Sequence, residues 1–242
     1  MSVGISVVVP VKDEVENVAP LAREIVAAIV DEPSTEIIFI DDGSSDGTAD
    51  ALKALKAEIP TLRVIQHVRN LGQSRGILTG VRAARFDTIV TLDGDGQNDP
   101  ADIPKLLAVL RNEPDGQNVG VVSGVRAKRM DTFSRRMASR IGNGIRASLL
   151  NDGATDTGCG LKAFSRDAFL ALPYFDHLHR FIITLMLREG WQARFVDVNH
   201  RERAHGQSKY TNFGRMLVSV NDLLGVRWLQ CRYGGKTETR EL

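Results

Sequence analysis

The chain has few of the features that mark disulfide-stapled, membrane-spanning or nucleic-acid-binding proteins. Its 242 residues include two cysteines, Cys159 and Cys231, which match no metal-site spacing and suggest no disulfide framework, so we expect a reducing compartment. The formal net charge of +1 gives no long-range attraction to nucleic acid, and no nucleic-acid partner is predicted. Any anionic ligand must therefore be bound by a local cluster of positive side chains.

Long apolar runs are also missing. The run Val7–Val9 is too short for the core of a signal peptide, and no stretch reaches the roughly 18 to 20 apolar residues that span a bilayer. We therefore expect a cytoplasmic protein, or one attached peripherally to the cytoplasmic face of a membrane. With 43% hydrophobic and 25% charged residues, the chain has the composition of a globular protein with a sizeable core.

Apolar periodicity in the first half of the chain predicts strands that alternate with helices. Such alternation, with short turns, is typical of an α/β fold with a mainly parallel sheet and helices on both faces. The predicted strands are 5–9, 36–40, 62–66, 88–92 and 119–123, and the predicted helices are 18–30, 48–59, 74–84 and 104–110. We expect one domain over 1–210, an amphipathic helix over 211–232 and a polar tail over 233–242.

Two aspartates separated by one glycine follow the predicted strand 88–92. Residues two apart in a strand point the same way, so Asp93 and Asp95 would repel each other unless a cation or a proton lies between them. Gln97 adds a neutral oxygen, and Mg²⁺ or Mn²⁺ prefers such oxygen ligands together with substrate phosphates. The stretch indicates a divalent metal site, although two aspartates in a glycine-rich turn by themselves more often cap a loop.

The turn after the predicted strand 36–40 is also acidic, because Asp41 and Asp42 open the stretch DDGSSDGT. These are turn-forming residues, and Asp46 or Thr48 is placed to cap the next helix. The functional interpretation is that a carboxylate at the end of this strand accepts hydrogen bonds from a ribose or a base. The residues alone leave both interpretations open.

Six short motifs run along the chain. They are VPVKDE at 9–14, DDGSSDGT at 41–48, NLG at 70–72, DGDGQ at 93–97, DTGCGLKAF at 156–164 and RAHGQSKY at 203–210. Together they resemble the family-two inverting glycosyltransferases of GT-A type, and within them the polyprenyl-phosphate glycosyltransferases typified by dolichol-phosphate mannose synthase. Lys12 and Asp13 stand where the family has Tyr-Asn, which leaves the nucleotide open, and Leu161 replaces an aromatic residue.

The resemblance implies a GT-A catalytic domain that moves a sugar, with mannose as the expected one, from GDP-mannose or a UDP-sugar to a polyprenyl phosphate. Metal on the diphosphate would assist departure of the nucleotide. The residues implied for the nucleotide are Pro10, Glu14, Asp42 and Asp93, and those implied for Mg²⁺ or Mn²⁺ are Asp93, Asp95 and Gln97.

The acceptor phosphate and the donor diphosphate both require positive side chains. The resemblance gives this role to Arg126, Arg203 and Lys209, which together with Asp95 are the expected catalytic residues. Asp156 is expected to position the sugar or the acceptor. One alternative is a hydroxyl acceptor, for which Asp156 would be the general base. Another is a protein that binds nucleotide sugars without catalysis.

Two segments have an amphipathic helical pattern with arginines beside the apolar stripe. Residues 133–149 include Arg146 among such arginines, and residues 213–228 carry a second stripe flanked by Arg227 and Arg232. For a lipid acceptor both are predicted to lie on a membrane surface, with packing against the domain as the alternative. A membrane-anchoring protein is a further candidate partner.

Overall fold

In the part of the chain that the structure describes, seven strands form one sheet with helices on both faces. The computed structural model describes residues 4–112, 118–126, 144, 146, 148–154, 156–202, 212–232 and 235, with the backbone alone over 212–219. The strands are β1 (Ile5–Val11), β2 (Thr35–Asp41), β3 (Leu62–Gln66), β4 (Thr88–Thr91), β5 (Val119–Arg126), β6 (Lys162–Ser165) and β7 (Gln192–Val198). The helices are α1 (Val15–Ala28), α2 (Thr48–Leu55), α3 (Gln73–Ala83), α4 (Ile103–Arg111), α5 (Arg166–Leu170), α6 (Ile182–Arg188) and α7 (Asn212–Cys231), with 3₁₀ turns at Pro100–Asp102 and Leu178–Arg180.

The strand order is β3-β2-β1-β4-β6-β5-β7. The strand β6 runs antiparallel to both of its neighbours, whereas the other neighbouring pairs are parallel. The predicted mainly parallel sheet is therefore confirmed, with one reversed strand inserted in it. This insertion pairs Lys162 with Thr91 at the end of β4 and with Ser123 of β5.

The central strands are apolar throughout because helices cover both faces of the sheet. Val7 and Val9 pack in one core cluster with α1, α2 and α4, whereas Val8 between them packs in the other with α3, α5 and α6. This alternation follows the two-residue period of a strand. Burying each such side chain contributes about 1.5 to 3 kcal/mol, so these clusters hold the strand ends in place.

Helix α3 lies unusually close to β1 because two glycines face the strand. A Cβ on Gly80 would collide with Val8, and one on Gly76 would lie 3.0 Å from Pro10 Cβ. The close approach fixes the first residue of the helix, Gln73, near the carboxyl end of the sheet.

The helices match the predicted ones with shifted ends. The helix predicted over 18–30 begins three residues earlier, and the one predicted over 48–59 ends at Leu55, after which the N–H of Lys56 bonds the Lys53 carbonyl three residues back. The C-terminal helix expected over 211–232 is present as α7. Since β1 to β4 are parallel, the loops after them meet at one edge, where open α/β sheets bind their ligands.

Candidate active site

The turn after β4 presents the two aspartates at the carboxyl edge of the sheet. The Asp93 N–H donates to Asn98 Oδ1 at 3.0 Å, and the Gln97 N–H donates to Asp95 Oδ1 at 3.1 Å. A Cβ on Gly94 would collide with Val11 of β1, so this glycine is needed for close packing. Side chains of the turn itself therefore close it tightly over the end of β1.

The Asp93 carboxylate is enclosed on two sides. Gln73 Nε2 donates to Asp93 Oδ1 at 2.7 Å, and a Cβ on Gly160 would lie within 2.5 Å of both carboxylate oxygens. Burial, followed by the charge of Asp95, raises the pKa of Asp93 to about 6. A positive ion beside this pair would relieve both effects.

The donor set of this turn fits Mg²⁺ or Mn²⁺. Asp93 and Asp95 offer carboxylate oxygens and Gln97 offers an amide oxygen, and hard divalent cations prefer oxygen ligands. Within the described ranges, no group of three His, Cys, Asp or Glu side chains could hold a metal ion. Two carboxylates that leave the remaining positions to substrate phosphates and water are a usual arrangement for Mg²⁺ in enzymes that bind nucleotides.

The loops after β1 and β2 are tied to each other by hydrogen bonds. Asp13, whose φ is +50°, accepts from the Ser45 N–H at 2.8 Å, and the Glu14 N–H donates to Thr48 Oγ1 at 2.9 Å. The Glu14 carboxylate accepts from Asn17 Nδ2 at 2.6 Å. Asp13 and Glu14 are thus held beside the loop that contains Asp42.

Asp42 is buried and accepts hydrogen bonds from several protein groups. Its Oδ1 accepts from the Leu71 N–H at 2.8 Å and lies 2.8 Å from His67 Nδ1, and its Oδ2 accepts from the Gly72 N–H at 2.8 Å. These contacts organise the loop between β3 and α3. A direct bond from Asp42 to a nucleoside stays a prediction, and it would have to use the remaining acceptor position of this carboxylate.

Arg126, at the end of β5, forms a two-pronged ion pair with Asp156. Its Nε donates to Asp156 Oδ2 at 2.6 Å and its Nη2 donates to Oδ1 at 2.7 Å. Asp156 Oδ2 also accepts from the Arg126 N–H at 3.3 Å. The carboxylate is buried, so it orients the guanidinium firmly. A Cβ on Gly158 would lie 3.1 Å from Arg126 Nη2, so a larger residue at this position would crowd the guanidinium.

Sequence reasoning did not assign a role to Lys162, which the inserted strand β6 brings to the site. It is buried, and its Nζ donates to the carbonyl oxygen of Cys159. Burial lowers the pKa of Lys162, an effect that the charges of Asp93 and Asp156 oppose. The sequence does contain a signal, because Lys162 lies within an apolar stretch that is expected to be buried. Lysine is almost never fully buried unless it is paired, so such a position indicates a nearby carboxylate or other partner.

Arg203 and Lys209 lie outside the described residues, so their predicted role stays a prediction. The residue two positions before Arg203 is described and is firmly held. Arg201 Nη1 pairs with Glu24 of α1 at 2.6 Å and its Nη2 with Asp99 at 2.7 Å. Its N–H donates to the Gln97 carbonyl oxygen at 2.9 Å, so the chain enters the 203–210 motif directly beside the aspartate turn.

Most of the predicted helix 133–149 also lies outside the described residues, but Arg146 contradicts part of that prediction. Its guanidinium is buried and pairs with Asp152, and Nη2 also donates to Thr184 Oγ1 at 3.0 Å. A charge that a carboxylate neutralises inside the protein is not available to lipid headgroups. The helical repeat predicts Arg146 among surface arginines, because such a repeat does not reveal the partner Asp152 six residues further on.

The two sides of α7 have different environments beyond residue 219. On the inner side Val226 is buried, and Gln230 Nε2 donates to the Leu150 carbonyl oxygen at 3.0 Å. On the outer side Val220, Leu224 and Trp228 are 50%, 56% and 59% exposed. Packing on the domain and an outward apolar stripe therefore coexist on one helix.

Comparison with known proteins identifies the family. Residues 6–172 match the model of glycosyl transferase family 2. The chain belongs to this family. It is 34% identical over 229 residues to the dodecaprenyl-phosphate galacturonate synthase of Rhizobium johnstonii, which covers 93% of this chain and 67% of that protein. It is 34% identical over 209 residues to the undecaprenyl-phosphate 4-deoxy-4-formamido-L-arabinose transferase of Edwardsiella ictaluri, covering 85% and 62%. The chain thus spans about two thirds of the length of these relatives.

Solved structures confirm the GT-A fold that the resemblance implies. The mannosyl-3-phosphoglycerate synthase of Rubrobacter xylanophilus superposes with a TM-score of 0.74 at 18% identity, over 99% of this chain and 77% of that one. A mannosyltransferase from Pyrobaculum calidifontis, solved with GDP-Man and Mn²⁺, gives a TM-score of 0.62 at 21% identity, over 97% and 65%. At these identities the likeness concerns the fold alone. Within the described ranges, no helix has the length and hydrophobicity needed to cross a bilayer.

Proposed function

We propose that this family 2 glycosyltransferase transfers a sugar from a nucleotide sugar to a polyprenyl phosphate, with inversion at the anomeric carbon. The names of both relatives contain a polyprenyl phosphate. The observation that carries the proposal is the ion pair of Asp156, whose two oxygens accept from Arg126 at 2.6 and 2.7 Å. A carboxylate engaged in this way orients a cation and is poorly placed to take a proton from a hydroxyl group.

A phosphate acceptor needs cations and no base, because it is already ionised near neutral pH. Arg126 uses Nε and Nη2 for Asp156, and within the described residues its Nη1 has no hydrogen-bond partner, which leaves this edge for a phosphate oxygen. Arg203 and Lys209 are proposed to add further positive charge. Their loop starts beside the aspartate turn, because Arg201 bonds to Gln97 and Asp99.

The donor would lie across the carboxyl edge of the sheet. We assign the nucleoside to the loops that contain Pro10, Glu14 and Asp42, and the ribose to Asp93. Asp93, Asp95 and Gln97 would hold Mg²⁺ or Mn²⁺, in accord with their oxygen donors and the raised pKa of Asp93. When bound, such a metal stabilises the charge that develops on the leaving nucleoside diphosphate. The buried Lys162 interacts with the charge of Asp93 from the neighbouring strand β6.

The identity of the sugar is the finer part of the proposal. The resemblance predicts mannose, whereas the names of the relatives contain galacturonate and 4-deoxy-4-formamido-L-arabinose. Lys12 and Asp13, at the edge where the nucleoside is expected, form a 3.5 Å ion pair, and Lys12 Nζ donates to the Gly43 carbonyl oxygen at 3.0 Å. These bonds give the loop a defined shape against which a guanine or a uracil must fit.

The test is a matrix of donors and acceptors with the purified chain. GDP-mannose, UDP-glucose and UDP-galacturonic acid are each incubated with a short polyprenyl phosphate or the matching polyprenol, in Mg²⁺ or Mn²⁺. We expect one donor to be used with the phosphate and none with the alcohol, with an inverted anomeric configuration by NMR. Transfer to the alcohol would overturn the phosphate assignment. Nucleotide binding without transfer to any acceptor would favour a non-catalytic binding protein.

A polyprenyl acceptor places the reaction at a membrane, and the outer side of α7 supports peripheral attachment. Val220, Leu224 and Trp228 form an exposed apolar stripe, and the exposed Arg227 and Arg232 lie beside it. We expect the chain to sediment with vesicles that contain anionic lipid, and less so as salt screens the arginines. Equal sedimentation with neutral vesicles would contradict this surface. Failure with both would indicate an anchoring partner protein.

A further inference from the structure

The side chain of Gln73 contacts the aspartate turn from a separate part of the chain. Gln73 Nε2 donates to Asp93 Oδ1 at 2.7 Å across the edge of the sheet. The residue follows the motif at 70–72, and sequence reasoning assigned it no function. Since this amide donates to Oδ1, it selects which carboxylate oxygen of Asp93 is turned toward α3.

Two sets of contacts hold Gln73 in place. The preceding N–H groups of Leu71 and Gly72 both donate to Asp42 at 2.8 Å, and Gly72 has a left-handed φ of +86° that starts the helix sharply. Behind it, Gly76 and Gly80 bring α3 against β1, as described above. The position of Gln73 therefore depends on Asp42, at the proposed nucleoside end of the site.

The opposite side of the Asp93 carboxylate is bounded by Gly160. This glycine does not need its conformational freedom, since its φ lies outside the left-handed region, but a Cβ there would overlap the carboxylate. The Gly160 carbonyl oxygen accepts from Thr91 Oγ1 at 2.9 Å, which ties the backbone at Gly160 to the end of β4. The carboxylate is thus confined between a hydrogen-bond donor and a rigid backbone.

We propose that Gln73 is a positioning residue that fixes the Asp93 carboxylate for binding of a divalent metal with a nucleoside diphosphate. A neutral amide suits this task, because it orients a carboxylate without adding a charge that would compete with the metal. The connection through Leu71 and Gly72 makes this orientation dependent on Asp42. The inference rests on the metal use included in the proposed function.

The experiment measures nucleotide binding without any acceptor. Binding of UDP and of GDP to the full chain is followed by calorimetry over a series of Mn²⁺ concentrations. Gln73→Leu removes the donor at similar bulk, and Gln73→Glu keeps the length but replaces the amide by a carboxylate. The matched control is Gln66→Leu. Gln66 Nε2 donates to Asp41 Oδ2 at 2.9 Å, which is also an amide-to-carboxylate bond, between the ends of β3 and β2.

We expect Gln73→Leu to raise the half-saturating Mn²⁺ concentration by about tenfold or more, as loss of a group that orients a metal ligand typically does. Gln66→Leu should change it by less than about twofold, which separates positioning from general loosening. An unchanged value in Gln73→Leu, or an equal rise in Gln66→Leu, would overturn the inference. So would tighter Mn²⁺ binding by Gln73→Glu, because residue 73 would then act as a ligand.

Failure of the proposed function gives a different result. If the wild-type chain binds a nucleotide with Mn²⁺ but transfers no sugar to polyprenyl phosphate, the acceptor assignment fails and the role of Gln73 is still measured. If wild-type binding of both nucleotides is independent of Mn²⁺, Asp93 has no metal to be positioned for, and the inference about Gln73 is wrong.

Discussion

Two kinds of carboxylate occupy the carboxyl edge of this sheet. Asp42, after β2, and Asp156, beside β5, are buried and engaged by protein donors, namely His67 with two backbone N–H groups for Asp42 and a guanidinium for Asp156. Asp93, after β4, accepts from the Gln73 amide and stands beside Asp95, and its pKa is raised to about 6.

The difference separates carboxylates that hold the structure together from carboxylates that are placed to bind a ligand. Carboxylates that the protein itself satisfies shape loops and orient cations, so their removal should cost structure as well as activity. Asp93, whose pKa burial and the neighbouring Asp95 raise, is arranged for an incoming cation, and replacing it should cost activity while removing a buried charge that destabilises the fold.

Asp95→Asn should have the largest effect. If Asp95 helps to hold the metal, we expect kcat to fall by about 100-fold or more, on the order found when a group that stabilises transition-state charge is removed. The melting temperature in EDTA should not fall, because the change removes repulsion with Asp93. Full activity of the variant, or full activity of the wild type in excess EDTA, would show that the pair does not serve a metal.

Arg126→Ala should cost about 2 to 4 kcal/mol in kcat/KM with a polyprenyl-phosphate acceptor, by analogy with the loss of one oxyanion-stabilising donor. We expect a comparable loss from Arg203→Ala. Asp156→Asn should cost less, about tenfold, because it loosens Arg126 without removing its charge. Collapse of activity in Asp156→Asn beside a near-normal Arg203→Ala would instead point to a general base and a hydroxyl acceptor.

Asp42→Asn should lower stability. The amide keeps one acceptor oxygen and turns its NH₂ toward a backbone N–H of Leu71 or Gly72, and a buried donor left unsatisfied costs about 1 to 3 kcal/mol. Chemical denaturation gives the change in the free energy of unfolding. An unchanged value would mean that this carboxylate does not organise the loop and would weaken the contrast with Asp93.

Asp93→Asn should do the reverse and raise the melting temperature of the metal-free protein, by about 2 to 4 °C, the shift that roughly 1 kcal/mol produces in a protein of this size. The folded-state pKa of about 6 lies above the ordinary value of 3.8, so the folded protein binds this proton more tightly than the unfolded chain. The charged carboxylate therefore destabilises the folded state, and this penalty reaches its full size above pH 6. That destabilisation disappears as the pH falls toward 4.

Thermal melts in EDTA between pH 4 and 8 measure this difference. The advantage of Asp93→Asn over the wild type should be largest above pH 6 and should vanish near pH 4. With Mn²⁺ and a nucleoside diphosphate present, only the wild type should gain stability. A variant less stable than the wild type at pH 7 would place Asp93 with Asp42 and Asp156, among the carboxylates that the protein itself satisfies.

Local pattern alone made much of the fold predictable. Strands such as β1 and β2 are short apolar runs, and α1 shows a helical repeat, so each could be identified without its neighbours. The aspartates of DGDGQ could be placed at the end of β4 for the same reason. Arg146 shows the limit of this approach, because its helical position suggested the surface while its partner Asp152 buries it.

The sequence by itself determined the family, the parallel half of the sheet and the acidic turns, because these depend on residues close together along the chain. Only the tertiary structure decided which carboxylates the protein satisfies. The reversed strand β6 brings Lys162 beside the end of β4, and the pairing of Asp156 with Arg126 joins residues thirty positions apart. Gln73 and Gly160 reach Asp93 from opposite directions along the chain. Such contacts depend on how strands order themselves in the sheet, which the two-residue and 3.6-residue periods do not encode.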